Sequence, residues 1–341
     1  MNIVRSCQTL ATFLLKPSPV ALKSASRLCV DTRPLRKIDP LYGDFLIHPC
    51  IRYIPEGFAG HKWWMAVTPF PRMDDRYENP VLYFGEGEGP EPPKKWRFVG
   101  IVQSAYEKGY NADCNLFFDG SLLWILWKET ETPNTTPDSG YNCVMGRSFD
   151  GFSFGPVKKF LDNPDTTANR MTAPCVMKIG KKICLLATYY EKRIDNPVHP
   201  HGLSGISIWE LEGESMSSGH FAWKHDVVQE YPDWFDFWHA DFFENGGRYY
   251  CVVTTERATT ILMGVSIDGE KYSFSSLPLL SKTGNLYTGM YKASAVVVDG
   301  RFHLFFPRKS ITGRRSRIYH SFLDIHGLVL NLSYFCGNEN I

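Results

Sequence analysis

What this sequence lacks closes several classes of function. Charge is almost balanced, with 37 Lys and Arg against 36 Asp and Glu, so there is no basic footprint of the kind that holds nucleic acid. None of the nine cysteines pairs with another as Cys-x-x-Cys. No local Cys or His spacing matches a zinc site, and an odd cysteine count argues against a disulfide framework. Cys50, Cys175, Cys184 and Cys251 fall inside apolar stretches, which points to buried thiols made in a reducing compartment. Nothing reads as a membrane span. No acid precedes Asp31, while Arg5, Lys16, Lys23 and Arg27 are present. That composition resembles a transit peptide, but Lys16-Pro17 interrupts LATFLL and makes a poor secretory signal. Residues 1 to 38 therefore read as an N-terminal arm, either packed on its own domain or docked on a larger assembly.

What is present is a repeat. IHPCIRYIPEGFAGHKWWMAVTPFP, from Ile47, runs through an apolar strand, a Gly-rich turn and a second strand: a β-hairpin. Degenerate copies begin at Asn111, Met171, Trp238 and Tyr291. Aligning Pro49, Cys114, Pro174, Ala240 and Ala293 gives spacings of 65, 60, 66 and 53 residues, as expected for one supersecondary unit with loop insertions. A second piece, Ser-x-Asp-Gly-x-x-aromatic, recurs with the same spacing at Ser148 to Phe154 and at Ser266 to Tyr272. Asp-Gly between apolar runs makes a tight turn, so each unit has four strands rather than two. The fold expected is all-β, a five-bladed β-propeller over residues 39 to 341, whose radial closure protects strand edges.

Topology then selects the residues that can meet. The start of each innermost strand and the end of its hairpin partner share one rim. The starts supply His48, Asp113, Thr172, Trp238, His239, Asp241 and Lys292; the ends supply Glu78, Lys128, Glu129, Glu191 and Glu256. A ligand site is expected from His48, Glu78, Asp113, Trp238, His239, Asp241 and Lys292. Trp238, His239 and Asp241 after YPDWFDF suit a sugar, whose C–H faces pack on a ring while its hydroxyls take polar groups. A loop plug is the plainer reading of the same aromatics. His199 and His201, split by Pro200, are weak as metal ligands, so no metal and no cofactor are expected.

The whole pattern resembles the propellers of glycoside hydrolase family 43 and the related families 32 and 68. His48-Pro49, Lys62 to Pro71, Tyr77 to Pro80, Asp113, Trp238 to Asp241 and Tyr291 to Ser294 more closely resemble family-43-like propellers of bacteria and tailed phages. Lys292 stands where that set has Arg. The resemblance implies a glycan partner and a virion or cell-surface adhesin, with other virion proteins as partners of the arm. It also implies a base Asp, a second Asp and an acid Glu at the starts of blades one, three and four. This chain has His48, then Thr172 or Ala173, then Trp238 or His239, none of them a carboxylate. Hydrolysis would need a replacement pair such as Glu78 with Asp241, with His239 as proton donor. A structural propeller with an empty funnel is the third option.

Overall fold

The computed structural model describes residues 26–38, 40, 42, 45–104, 109–131, 141–162, 169–191, 204–230, 237–255, 260–274, 278–281, 291–309 and 316–324. Five antiparallel sheets succeed one another along the chain. From axis to rim, blade 1 is Leu46–Phe58, His61–Pro69, Val81–Gly85 and Lys95–Ile101; blade 2 is Gly109–Phe118, Leu123–Glu131, Tyr141–Phe149 and Lys158–Asp162. Blade 3 is Asn169–Ile179, Lys182–Glu191, Ser204–Glu212 and His220–Asp226, and blade 4 is Phe237–Asn245, Arg248–Thr255, Thr260–Ser266 and Lys271–Phe274. Blade 5 has Ser294–Val298, Arg301–Lys309 and Ser316–Asp324. This is the five-bladed all-β propeller that the repeat predicts.

Turn chemistry accounts for the hairpins. Ala59-Gly60, Gly246-Gly247 and Asp299-Gly300 close the inner hairpins of blades 1, 4 and 5 with positive φ at both residues, which matches the twist of the flanking strands. In the Ser-x-Asp-Gly pieces, Asp150 Oδ1 accepts from the amides of Phe152 and Ser153, and Asp268 Oδ1 from those of Glu270 and Lys271. Each side chain thus nucleates the turn toward the fourth strand.

Alternating strand residues pack between sheets, so each of the five blade junctions has its own apolar cluster. Cys50, Trp64, Leu116 and Trp127 bind blade 1 to blade 2; Met65, Tyr83, Phe305 and Ile318 bind blade 5 to blade 1. The remaining three junctions are filled in the same way. The last junction is also stitched by the segment before the repeat. Ser26–Arg27 pairs antiparallel with Ser316–Asp324 as the fourth strand of blade 5, and Cys29–Val30 then pairs parallel with Lys95–Ile101 of blade 1. Leu28 and Leu35 join the apolar cluster between those blades. Residues 26 to 38 are thereby attached to the propeller, and both outer edges are covered.

Every innermost strand of blades 1 to 4 breaks register near its start: Ile47/Cys50, Ala112/Asn115, Thr172/Cys175 and Phe237/His239. His48, Asp113 and Ala173 there have φ of 52°, 57° and 50°. A bulge re-aims one side chain, and a non-glycine residue in the left-handed region costs on the order of 1 to 3 kcal/mol. The repeat places that strain at the same point in three blades, facing the axis.

Candidate functional site

The axis is filled by two rings of side chains, one residue from each blade in each ring. The first ring comprises His48, Asp113, Ala173, His239 and Lys292; the second, two residues further along each strand, comprises Cys50, Asn115, Cys175, Asp241 and Ser294. All ten are buried.

In the first ring Asp113 is the centre. Its Oδ2 accepts from Thr172 Oγ1 at 2.7 Å and the Ala173 amide at 3.2 Å, and lies 3.2 Å from Lys128 Nζ. Its Oδ1 faces His239 Nε2 at 3.0 Å and His48 Nε2 at 3.5 Å. His239 Nε2 stands at hydrogen-bond distance from Asp113 Oδ1 but off the ideal line, and Asp113 Oδ1, His48 Nε2 and His239 Nδ1 have no well-aligned hydrogen bond among the described residues. On the other edge of the His48 ring, Nδ1 sits 3.2 Å from Thr68 Oγ1 and 4.0 Å from Glu78 Oε1.

Glu78 arrives by a short route. Its amide donates to Asp75 O, closing the turn after a 3-10 segment, and its carbonyl accepts from the Asn111 amide. Asn111 Nδ2 donates to Asn79 Oδ1 at 2.9 Å and Asn111 Oδ1 accepts from Trp127 Nε1 at 3.0 Å. The Tyr-Glu-Asn-Pro motif therefore clamps Glu78 through its neighbour Asn79.

Electrostatics split the two carboxyls. Burial, reinforced by Asp75 and Asp113, holds Glu78 well above the usual carboxylate range. Burial opposes ionisation of Asp113 too, but Lys128 and the imidazoles outweigh it and hold that carboxyl well below the usual range. Burial pushes His48 down to about 3 against the pull of Asp113, and lowers His239 likewise. At the first ring and the Glu78 beside it, burial thus pushes Glu78 toward its protonated form and both imidazoles toward neutrality, while Lys128 favours the Asp113 carboxylate.

An aromatic wall stands beside it. Trp238 and Tyr291, both half-buried, have ring centroids 5.1 Å apart; Trp238 lies 4.3 Å from His239 and Tyr291 5.8 Å from His48.

The second ring is closed chemistry. Arg52 grips Asp241 with two bonds, Nη2 to Oδ1 at 2.6 Å and Nη1 to Oδ2 at 3.0 Å, and Asp241 Oδ2 also accepts from Ser294 Oγ and the Ala295 amide. Asn115 Oδ1 accepts from the Val176 amide, and Lys292 Nζ donates to Cys114 O at 2.7 Å. Beyond this ring, at the opposite end of the axis, a cavity of about 640 Å³ is lined by Arg52, Glu56, Lys178, Glu244 and Tyr249 among others.

Of the residues expected at one site, the structure gathers His48, Glu78, Asp113, Trp238 and His239, seats Asp241 in the second ring bonded to blades 1 and 5, and turns the Lys292 ammonium to the Cys114 carbonyl of blade 2. Glu78 and Asp241 do not face each other as a pair. Glu129 is half-buried with the Cys143 thiol 3.9 Å away. The Glu191 side chain, Glu256, His199, His201 and residues 231 to 236 lie outside the described residues. Two contributors were not singled out by sequence: Thr68, near the end of its strand, and Arg52, a lone charge in the apolar run Cys-Ile-Arg-Tyr-Ile.

No protein-family model matches the chain, and no curated protein matches it. Solved structures do match, and they are five-bladed propellers with carbohydrate-active neighbours in glycoside hydrolase family 43 among them. An N-acetylgalactosamine deacetylase from F. plautii, in complex with blood group B trisaccharide, superposes with a TM-score of 0.67 at 13% identity, over 84% of this chain and 91% of that one. A GH43_1 enzyme from Xanthomonas citri gives 0.61 at 11% identity over 93% of each chain. RS223 β-xylosidase gives 0.59 at 10% identity, over 89% of this chain and 95% of its own. At these identities the likeness is one of fold.

Proposed function

We propose that this propeller binds a glycan at the His48 end of its axis, with Trp238 and Tyr291 stacking on a sugar ring and Glu78, His48 and His239 taking its polar groups. The observation that carries this is the aromatic wall set directly against buried polar atoms that have no well-aligned partner among the described residues. Leaving such atoms unpaired costs about 1 to 3 kcal/mol each, and a bound hydroxyl would return it. The superposed structures add support, since one of them holds a trisaccharide and another is a xylosidase. Placement on a virion or cell surface, with the first residues of the chain docking on a neighbouring protein, draws its support from the phage-like motifs around His48 and Trp238. Among the described residues no helix is long and apolar enough to cross a membrane.

A second reading, hydrolysis, is favoured by one observation: on either side of His48, the surroundings push the acidity of Glu78 and Asp113 in opposite directions. Splitting two carboxyls in this way is how a site obtains an acid and a base together. It replaces the Glu78 and Asp241 pair, because Asp241 is committed to Arg52. Titrating the protein with polysaccharides and then assaying for released sugar or acyl groups tests both readings. Binding without release supports the first, release abolished by Glu78→Gln supports the second, and no binding to any glycan defeats both.

A further inference from the structure

His48, Asp113 and His239 come from blades 1, 2 and 4, yet each offers a ligand atom within 4.8 Å of the others. Their separations, 3.0 and 3.5 Å from Asp113 Oδ1 to the two Nε2 atoms, are close to those between neighbouring donors around one small cation, where each donor lies about 2.0 to 2.2 Å from the metal. Thr68 Oγ1 can donate to Ile47 O, at 3.4 Å, and then accepts from His48 Nδ1–H at 3.2 Å. In that tautomer His48 Nε2 carries a bare lone pair, pointed at a carboxylate oxygen that also offers only lone pairs. Two buried acceptors facing each other are repulsive unless a cation or proton lies between them, and neither has a well-aligned partner among the described residues. The other oxygen, Oδ2, is already held by Thr172, Ala173 and Lys128, which fixes the carboxylate in rotation and keeps Oδ1 forward. The ligands sit on bulged inner strands rather than loops, with left-handed backbone at His48 and Asp113, so the constellation is set before anything binds.

We propose that His48 Nε2, Asp113 Oδ1 and His239 Nε2 bind one divalent first-row transition-metal ion, zinc fitting the donors best. Two imidazoles and one carboxylate suit zinc or its neighbours rather than calcium or magnesium, which prefer oxygen shells. Three protein ligands leave a coordination position for water or a ligand oxygen, the arrangement of an acting rather than a structural site. Thr68 is a positioning residue, because the group that holds the far nitrogen of a ligating histidine sets its direction and tautomer. This inference goes beyond glycan recognition and stands without it.

The test uses the full chain, stripped with a chelator and dialysed against zinc, cobalt or calcium, with metal content measured per chain and folding checked by circular dichroism. Expected are one equivalent of zinc, visible cobalt absorption of a low-coordinate nitrogen and oxygen site, and no displacement by millimolar calcium. Asp113→Asn and His239→Gln should lose the equivalent and the cobalt bands, whereas His303→Gln, far from the axis, should keep both. Thr68→Val, which leaves all three ligands in place, should weaken zinc binding by about 10- to 100-fold. Should the folded wild type retain no zinc, should the bands persist in His239→Gln, or should Thr68→Val bind as tightly as wild type, the assignment is overturned. Because no glycan enters the measurement, its failure leaves the sugar reading intact, and the reverse also holds.

Discussion

Asp113 and Asp241 occupy successive rings on the same axis, both buried beside a cation, and they have opposite fates. Both oxygens of Asp241 are bonded, to Arg52, Ser294 and the Ala295 amide. Asp113 has one bonded oxygen and one without a well-aligned hydrogen bond among the described residues, facing two imidazoles. The second ring is therefore the plug that ties blades 1, 4 and 5 together, and the first is a site kept incomplete. Proteins carry such unpaired groups where function needs them, and the cost is met elsewhere in the fold.

The largest expected effect breaks that contrast most directly. Arg52→Met strands a buried carboxylate, and removing one partner of a buried pair costs about 3 to 5 kcal/mol. Asp113→Asn keeps the hydrogen bonds from Thr172 and Ala173 and should cost less than half as much, measured by urea unfolding of both variants. Equal losses would mean that the first ring is structural as well.

The second prediction compares the two ends of the axis. Trp238→Ala at the His48 end should weaken glycan binding by about 1 to 3 kcal/mol, the scale of a central aromatic anchor. Tyr249→Ala, lining the cavity at the other end, should leave binding unchanged by isothermal calorimetry. A glycan that responds only to Tyr249 moves the site to the opposite face.

Repeat arithmetic made much of this legible. The alignment through Pro49, Cys114, Pro174, Ala240 and Ala293 predicts the first ring residue by residue, and one step of two along each strand predicts the second. Asp241 aligns with Asn115 and not with Asp113, which places it deeper than Trp238 and His239 suggest. Arg52 was hidden because alternation in a strand does not tell which face a lone arginine takes once a bulge has shifted the register. The convergence of His48, Asp113 and His239 was illegible for another reason. Motifs reveal metal ligands that are close in sequence, whereas these are 65 and 126 residues apart and meet only because the ring closes. The left-handed backbone at His48 and Asp113 carries no glycine to announce it.

The smallest expected effect uses a pair of imidazoles off the axis as the structural counterpart of those on it. In blade 5, His303 Nδ1 lies 3.0 Å from His320 Nε2, the two rings stacked together and His320 also against Phe305. Burial pushes His303 down to about 3, with His320 and Arg301 adding to it, and pushes His320 down to about 4. Both are neutral in the folded chain at neutral pH, while in the unfolded chain each protonates near 6.5. The unfolded state therefore binds the extra protons as pH falls, so stability is full above about 6.5 and declines toward 4. Discounted for the partial exposure of His320, the pair should cost about 1 kcal/mol between pH 7 and pH 6. His303→Phe with His320→Phe keeps the aromatic stack and removes both titrations, so the double variant should show a flatter decline than wild type in thermal unfolding across that window. Parallel declines would show that the acid sensitivity arises elsewhere and that this pair is already solvated when folded.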